Sequence, residues 1–564
     1  MGSYSKPHIC QCLSRIATFK RNSVVTITGN REKSGEQFVE GVLSLARGLL
    51  QLGLCNGHIV AISAFNSSDW YLEWLLAVAW VGGIVAPLNY RWSFEEARLA
   101  MLTIMPVMLV TDESCKNWYS KLHTNGIPSL RWHVSMASPS SNFTKIWNIL
   151  TTDILKQQSA RSPPVTYSWA PEGAVIICFT SGTTGRPKGV VISHSALIVQ
   201  SLAKIAIVGY GEDDVYLHTA PLCHIGGLSS AITMLIVGAC HVLIPKFEAK
   251  SALEAMEQHR VTSLITVPAI MADLISLTSV PENWKERDSV NKILNGGGGL
   301  SIELREGATK IFPRAKLLSA YGMTETSSSL TFMTLYDPMH EITSQPLQLC
   351  GKTKPVHPRQ GVCVGKPAPH VELLIRFDHG SSEAGRILTR GPHLMLRYWD
   401  ENPEKAADCM NEVWLDTGDF GSIDDCGNVW LMGRTNGRIK SGGENIFPEE
   451  VEVILAQCPG VTGVVVVGIP DTRLTEMVVA CVRLRENWQW SHENCTHSIK
   501  DKEVLLSSDI LQNFCREKNL TGFKIPKKLF LWTRPFPVTT TGKIKRVEVR
   551  REVMSHMQLL PSNL

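Results

Sequence analysis

Phe179-Thr180-Ser181-Gly182-Thr183-Thr184-Gly185-Arg186-Pro187-Lys188-Gly189 follows directly on the apolar run Ala174 to Cys178. A strand that runs into hydroxyls and glycines and then a lysine lets a backbone approach phosphate oxygens. Glycine removes the Cβ atoms in the way, hydroxyl and N–H groups donate, and the lysine adds charge. The stretch is not a Walker loop. Pro187 stands where the second glycine belongs, and Gly189 replaces the Ser or Thr that would hold magnesium.

Outward from this loop, short β-rich runs alternate with helical patterns. Val24-Val25-Thr26-Ile27 precedes the amphipathic stretch Gly35 to Leu52, and similar runs recur at Ile59 to Ala64, Val107 to Thr111, Ser263 to Val267 and Lys316 to Ala320. This is α/β patterning with buried parallel strands. The chain has 564 residues, longer than one core usually serves, so more than one domain is expected. Past Gly433 a glycine-rich turn, a helix from Glu449, the apolar strand Val464 to Val467 and a basic tail follow. We therefore place domains at residues 1–433 and 439–564, joined by a hinge at 434–438.

With 56 basic and 52 acidic residues, net charge +4, a dedicated nucleic-acid or anionic-membrane binder is not indicated, and small-molecule partners are expected. The fifteen cysteines are scattered without a zinc or redox spacing. The longest apolar run, Trp74 to Leu88, is broken by Gly82-Gly83 and is too short to cross a bilayer, so it reads as a core helix entering a buried strand. The final Ser562-Asn563-Leu564 differs from the peroxisomal Ser-Lys-Leu address at its middle residue, which makes a peroxisomal import receptor an expected partner.

Further motifs follow in order: Pro221-Leu222-Cys223-His224-Ile225-Gly226-Gly227, Tyr321-Gly322-Met323-Thr324-Glu325, Leu415-Asp416-Thr417-Gly418-Asp419, Gly433-Arg434, Ser441-Gly442-Gly443-Glu444-Asn445-Ile446 and Thr541-Gly542-Lys543. Together with the loop they resemble the adenylate-forming superfamily of acyl-CoA ligases, luciferases and peptide-synthetase adenylation domains. The resemblance implies a large α/β N-terminal domain with mixed and parallel sheets, flanking helices and a β-barrel-like subdomain, and a small mobile α+β C-terminal domain. It implies ATP and CoA as co-substrates and Mg²⁺ as cofactor.

The chemistry wants such residues. A carboxylate must attack the α-phosphorus of ATP, and two unit anions at 4 Å repel by roughly 4 kcal/mol at an effective dielectric near 20. By resemblance, Thr180 to Gly185 and Lys188 cradle phosphates, Glu325 holds Mg²⁺, Thr324 meets the α-phosphate, and Asp419 accepts from the ribose hydroxyls. Gly297, Gly298, Tyr321, Gly322, Met323 and Arg434 complete the nucleotide site. Lys543 would bridge the attacking carboxylate and the nucleotide, then leave as the C-terminal domain turns about Asn436. Family members usually carry Asp or Lys at that hinge, and Asn436 departs from them. The turn would bring Gly442-Gly443 to the acyl end, where absent side chains leave room for the pantetheine arm of CoA.

Acid choice is expected from the residues after His224 and from Asn295-Gly296-Gly297-Gly298-Gly299. Four glycines form a thin wall for a flat ring or for adenine, and Gly226-Gly227-Leu228-Ser229-Ser230 leaves space for an acyl group. His224 either orients the reacting carboxylate, stacks on the acyl group or is a structural histidine. Ala86 to Trp92, Ile205 to His218, Lys292 to Gly298 and Leu520 to Pro526 further resemble a plant branch of the family that joins 2-succinylbenzoate to CoA for phylloquinone synthesis, in chloroplasts and peroxisomes. That implies activation of the aliphatic carboxylate alone. Another aryl or medium-chain acid is the alternative. A carrier-protein loader would want an attachment domain after the C-terminal domain, and a non-catalytic relative would not keep Lys188, Glu325, Asp419 and Lys543 together.

Overall fold

The computed structural model describes residues 6–66, 69–115, 118, 121–122, 126–136, 149–157, 166–180, 187–277, 288–300, 302–339, 362–377, 384–400, 414–434, 439–446, 448–491, 505–537 and 544–559. Two compact units result. The larger holds most of the chain up to Gly433, and the smaller holds the chain from Arg434 together with Arg91–Glu96.

The larger unit is built on two sheets. In the eight-stranded sheet, Ile59–Ser63, Ile84–Pro87, Met108–Thr111 and Trp132–Ser135 pair in parallel, and the first three are buried along their whole length, as the apolar runs of a sheet covered on both faces are. Ala174–Thr180 joins them in parallel through Ile84–Pro87 and pairs antiparallel with Lys188–Ser193. The two ends of the stretch quoted above, Thr180 and Lys188, are therefore partners on adjacent antiparallel strands, and its lysine begins the return strand. In the thirteen-stranded sheet, Val215–His218, Ser263–Thr266, Lys292–Asn295 and Lys316–Met323 lie parallel, and Ser328–Tyr336 turns back antiparallel. The run from Val362 to Arg434 adds antiparallel strands to the same sheet.

Two helices matter for the site. His194–Val208 starts at Ser193, whose Oγ accepts from Ala196 N, and stops at Gly209, where φ of 82° suits a residue without Cβ. Ile225–Val237 ends likewise on Gly238, φ 80°. The apolar run at Trp74 divides as expected into a helix, Asp69–Trp80, and the buried strand Ile84–Pro87. Trp74, Leu75 and Leu76 are wholly buried in the core beside that sheet. No described helix is long and apolar enough to cross a membrane.

The smaller unit packs the helices Pro448–Leu455 and Ser508–Glu517 on a sheet whose long hairpin is Val461–Asp471 and Thr475–Leu484. Val465, Val466, Val479, Ala480, Cys481 and Val482 are fully buried there, which gives this unit a core of its own.

Candidate active site

Within the larger unit the hairpin sets Lys188 opposite Thr180. The strand Arg397–Tyr398 pairs with the hairpin's return strand and lays the Tyr398 ring under Lys188, with Nζ 5.1 Å from the ring centroid. Tyr398 Oη donates to Glu325 Oε1 at 3.0 Å. One tyrosine thus touches both the lysine of the loop and the carboxylate of the Tyr-Gly-Met-Thr-Glu motif. Ser181, Gly182, Thr183, Thr184 and Gly185 lie outside the described residues, as do Asn436, Lys543 and Ser562-Asn563-Leu564.

Glu325 is buried in a single 3-10 turn, Thr324–Thr326, with Met323 N bonded to Thr326 Oγ1 at 3.2 Å. The turn is followed by Ser327 and Ser328, with φ of 54° and 134°. Left-handed backbone at two successive non-glycine residues is costly, and such strain concentrates at functional sites. A Cβ on Gly322 would sit 1.7 Å from Ser328 O. Gly322 is there because the hairpin backbones touch.

Tyr321 and Asp419 meet: the phenol donates to Asp419 Oδ2 at 2.6 Å, and both are buried. Asp419 belongs to Leu415–Ile423, where Thr417 Oγ1 donates to Ile387 O at 2.8 Å and accepts from Asp419 N at 3.1 Å. Gly418 bends the strand at φ 70°. The carboxylate is thereby held by its own strand and by its neighbour motif. Arg434 closes the strand Val429–Arg434.

Asn295 ends a parallel strand and donates Nδ2 to Gly298 O at 2.7 Å, closing the glycine turn. Gly297 takes φ 70°, and among the described residues no atom lies within 4 Å of where a Gly296 Cβ would stand. His224 is the N-cap of Ile225–Val237, but its side chain does not cap it. Asn66 pins the preceding loop by accepting from Leu222 N at 2.8 Å and donating to Ala220 O at 2.9 Å.

The acyl-space expectation is corrected in part. A Cβ on Gly227 would strike Pro221 O at 2.3 Å, so this glycine serves the tight entry to the helix. Gly226 is less crowded: the nearest described atom to an added Cβ would be Ile265 Cδ1 at 3.7 Å, an ordinary contact. Ser229 is buried and accepts from Lys204 Nζ at 2.5 Å. In the smaller unit Gly442 and Gly443 join Ile439–Ser441 to Glu444–Ile446 with φ of 59° and 85°. A two-residue hairpin with both central φ positive favours glycine at these positions whether or not a ligand passes.

Residues 13–399 match the AMP-binding enzyme family, and residues 450–543 match the AMP-binding enzyme C-terminal domain. The chain belongs to the AMP-binding enzymes. Among relatives of this family, the 2-succinylbenzoate--CoA ligase of Arabidopsis thaliana, named chloroplastic/peroxisomal, is 60% identical over 571 residues, covering 100% of both chains. The indoleacetate--CoA ligase of Aromatoleum aromaticum is 30% identical, covering 93% of this chain and 94% of its own. The solved o-succinylbenzoate CoA synthetase of Bacillus subtilis shares the fold, with a TM-score of 0.73 at 24% identity over 97% of this chain and 98% of that one. In this AMP-binding enzyme, sequence motifs alone pass over Tyr398 and Asn66. The only hint of Tyr398 is its place in Arg397-Tyr398-Trp399, just before a polar stretch.

Proposed function

We propose that the chain is an AMP-forming carboxylate–CoA ligase that joins 2-succinylbenzoate to CoA through an acyl-adenylate, in phylloquinone synthesis. The observation that carries the substrate is full-length identity of 60% to the Arabidopsis enzyme of that name. The same name supports chloroplasts and peroxisomes as its compartments.

In the first half-reaction the succinyl carboxylate attacks the α-phosphorus and pyrophosphate leaves. Thr180, the loop Ser181 to Gly185 and Lys188 receive the phosphates, with Tyr398 holding Lys188 and Glu325 in one place. Tyr321 stacks the base against Gly297 and Gly298, Asp419 accepts from the ribose hydroxyls, and Thr324 meets the α-phosphate. Gly322 and Met323 shape the turn that presents Thr324, and Arg434 meets the nucleotide from the end of its strand. Glu325 offers a buried hard-oxygen donor of the kind Mg²⁺ takes once or twice beside substrate phosphates and water, so the residues present fit that ion. Mg²⁺ supplies neutralising charge to the phosphates when bound.

His224 orients the acid at the helix N-terminus, beside Gly226, Gly296 and Asn295. Lys543 stabilises the charge that forms as the carboxylate adds. In the second half-reaction the C-terminal domain turns about Asn436, Gly442-Gly443 admits the pantetheine arm, the thiolate adds to the acyl carbonyl, and AMP leaves.

The test is acid-dependent release of pyrophosphate and AMP with 2-succinylbenzoate, indoleacetate, benzoate and octanoate. The highest kcat/KM is expected with 2-succinylbenzoate. ADP among the products would refute the chemistry, and a better rate with indoleacetate or octanoate would refute the substrate.

A further inference from the structure

Lys204 is completely buried in the middle of the helix His194–Val208. Its Nζ lies 2.5 Å from Ser229 Oγ and 3.3 Å from Ser230 Oγ on the facing helix Ile225–Val237. Among the described residues no carboxylate bonds to it. The contrast within this chain is plain, because the buried Glu73 is met by two lysines, Lys33 and Lys156.

A charged ammonium given only hydroxyls pays for its lost water, and burial accordingly lowers the Lys204 pKa from 10.5 to about 7. For stability alone an apolar side chain of the same length would serve better.

The surroundings say which way this cation faces chemically. One helical turn before it, Gln200 is also wholly buried and donates Nε2 to Thr326 O at 2.9 Å, in the Glu325 turn, and to Ser329 O at 2.7 Å just past it. Among the described residues Gln200 Oε1, in the same helix face, has no partner. Ser230 Oγ in turn donates to Gly226 O at 2.8 Å, in the first turn of the helix that follows His224. Lys204 and its two serines therefore stand one turn behind both the carboxylate motif and the acyl motif.

We propose that Lys204, with the hydroxyls of Ser229 and Ser230, receives the carboxylate of the acid that is not activated. The inference rests on the substrate proposed above, which carries one carboxylate on its chain and a second on its ring. An anion arriving there gains a charge-assisted hydrogen bond and relieves the lysine's unpaired burial. A ring carboxylate held in this place cannot also reach the α-phosphorus, so the same contact decides which end of a dicarboxylate reacts.

The test compares 2-succinylbenzoate with 4-oxo-4-phenylbutanoate, the same molecule without its ring carboxylate. For Lys204→Met the ratio of kcat/KM for the first acid over the second should fall about 10- to 100-fold, the size of a lost hydrogen bond to a charged group, with KM for ATP moving less than about 2-fold. Equal losses with both acids, or no change in the ratio, overturn the proposal. Should Lys204→Met fail to fold, Ser229→Ala should lower the same ratio by about 3- to 10-fold, and an unchanged ratio overturns the proposal. Wild-type enzyme that prefers 4-oxo-4-phenylbutanoate would instead refute the substrate assignment on which the proposal rests.

Discussion

Tyr398 places one phenol between two motifs far apart in sequence: its ring carries Lys188 and its hydroxyl bonds Glu325. Tyr398→Phe keeps the ring and removes only the bond to the carboxylate. Pyrophosphate exchange should slow about 10-fold or more, as expected for a hydrogen bond to a charged group, while the melting temperature stays nearly unchanged. An unaltered exchange rate would mean that Glu325 is held well enough by its own turn. At this scale sequence shows chemistry better than purpose. Tyr321 and Asp419 stand in recognisable motifs, and the structure joins them. Gly322 and Gly227 also stand in motifs, but spacing cannot tell whether the space of an absent Cβ faces a ligand or the chain's own carbonyls, and here it faces carbonyls. Lys204, Asn66 and Tyr398 have no motif because tertiary pairing alone gives them their partners.

Among elements, the strands were legible because both faces of a parallel sheet are covered and apolar runs follow from that. The antiparallel pairing of Thr180 with Lys188 was not, since glycine, proline and hydroxyl residues give the same signal before a helix or a return strand. The parallel strands Val215–His218 and Cys240–Leu243 hide another feature that composition cannot show. His218 Nε2 and His241 Nδ1 lie 2.9 Å apart with both rings buried. Burial holds both pKa values below 6.5, that of His241 at about 3, and burial lowers that of the buried His194 as well. Unfolded histidines take up protons near 6.5, so the stability these neutral rings contribute is full above that pH and is lost as pH falls toward the folded values. At about pH 5.5 each costs about 1.4 kcal/mol. The melting temperature should therefore drop by several degrees between about pH 7.5 and about pH 5.5, and His241→Gln should make the drop smaller. A pH-independent melting temperature would show that acid enters these sites without unfolding the chain.

At the scale of the molecule, the two units have separate cores, one around Trp74 and one around Val466 and Val482. Division of labour between them is part of the proposed mechanism, and Lys543 tests it. Lys543→Ala should slow adenylation by roughly 10²–10³-fold, the size of one lost transition-state donor, and leave conversion of supplied acyl-adenylate to thioester nearly intact. Equal losses in the two half-reactions would contradict the domain rotation. The family and the α/β architecture were readable from the ordered motifs and the periodicity, because both are local patterns. The antiparallel pairing of Thr180 with Lys188 and the lysine between two helices needed the assembled chain.

The backward-twisted pair Ser327-Ser328 has a bearing on how this chain can drift over generations. Branched side chains fit that backbone worst and glycine fits it best. Substitutions immediately behind Glu325 are thus filtered by main-chain shape before selection can weigh what they do to turnover, and the neighbourhood of the carboxylate is kept by geometry as much as by reactivity.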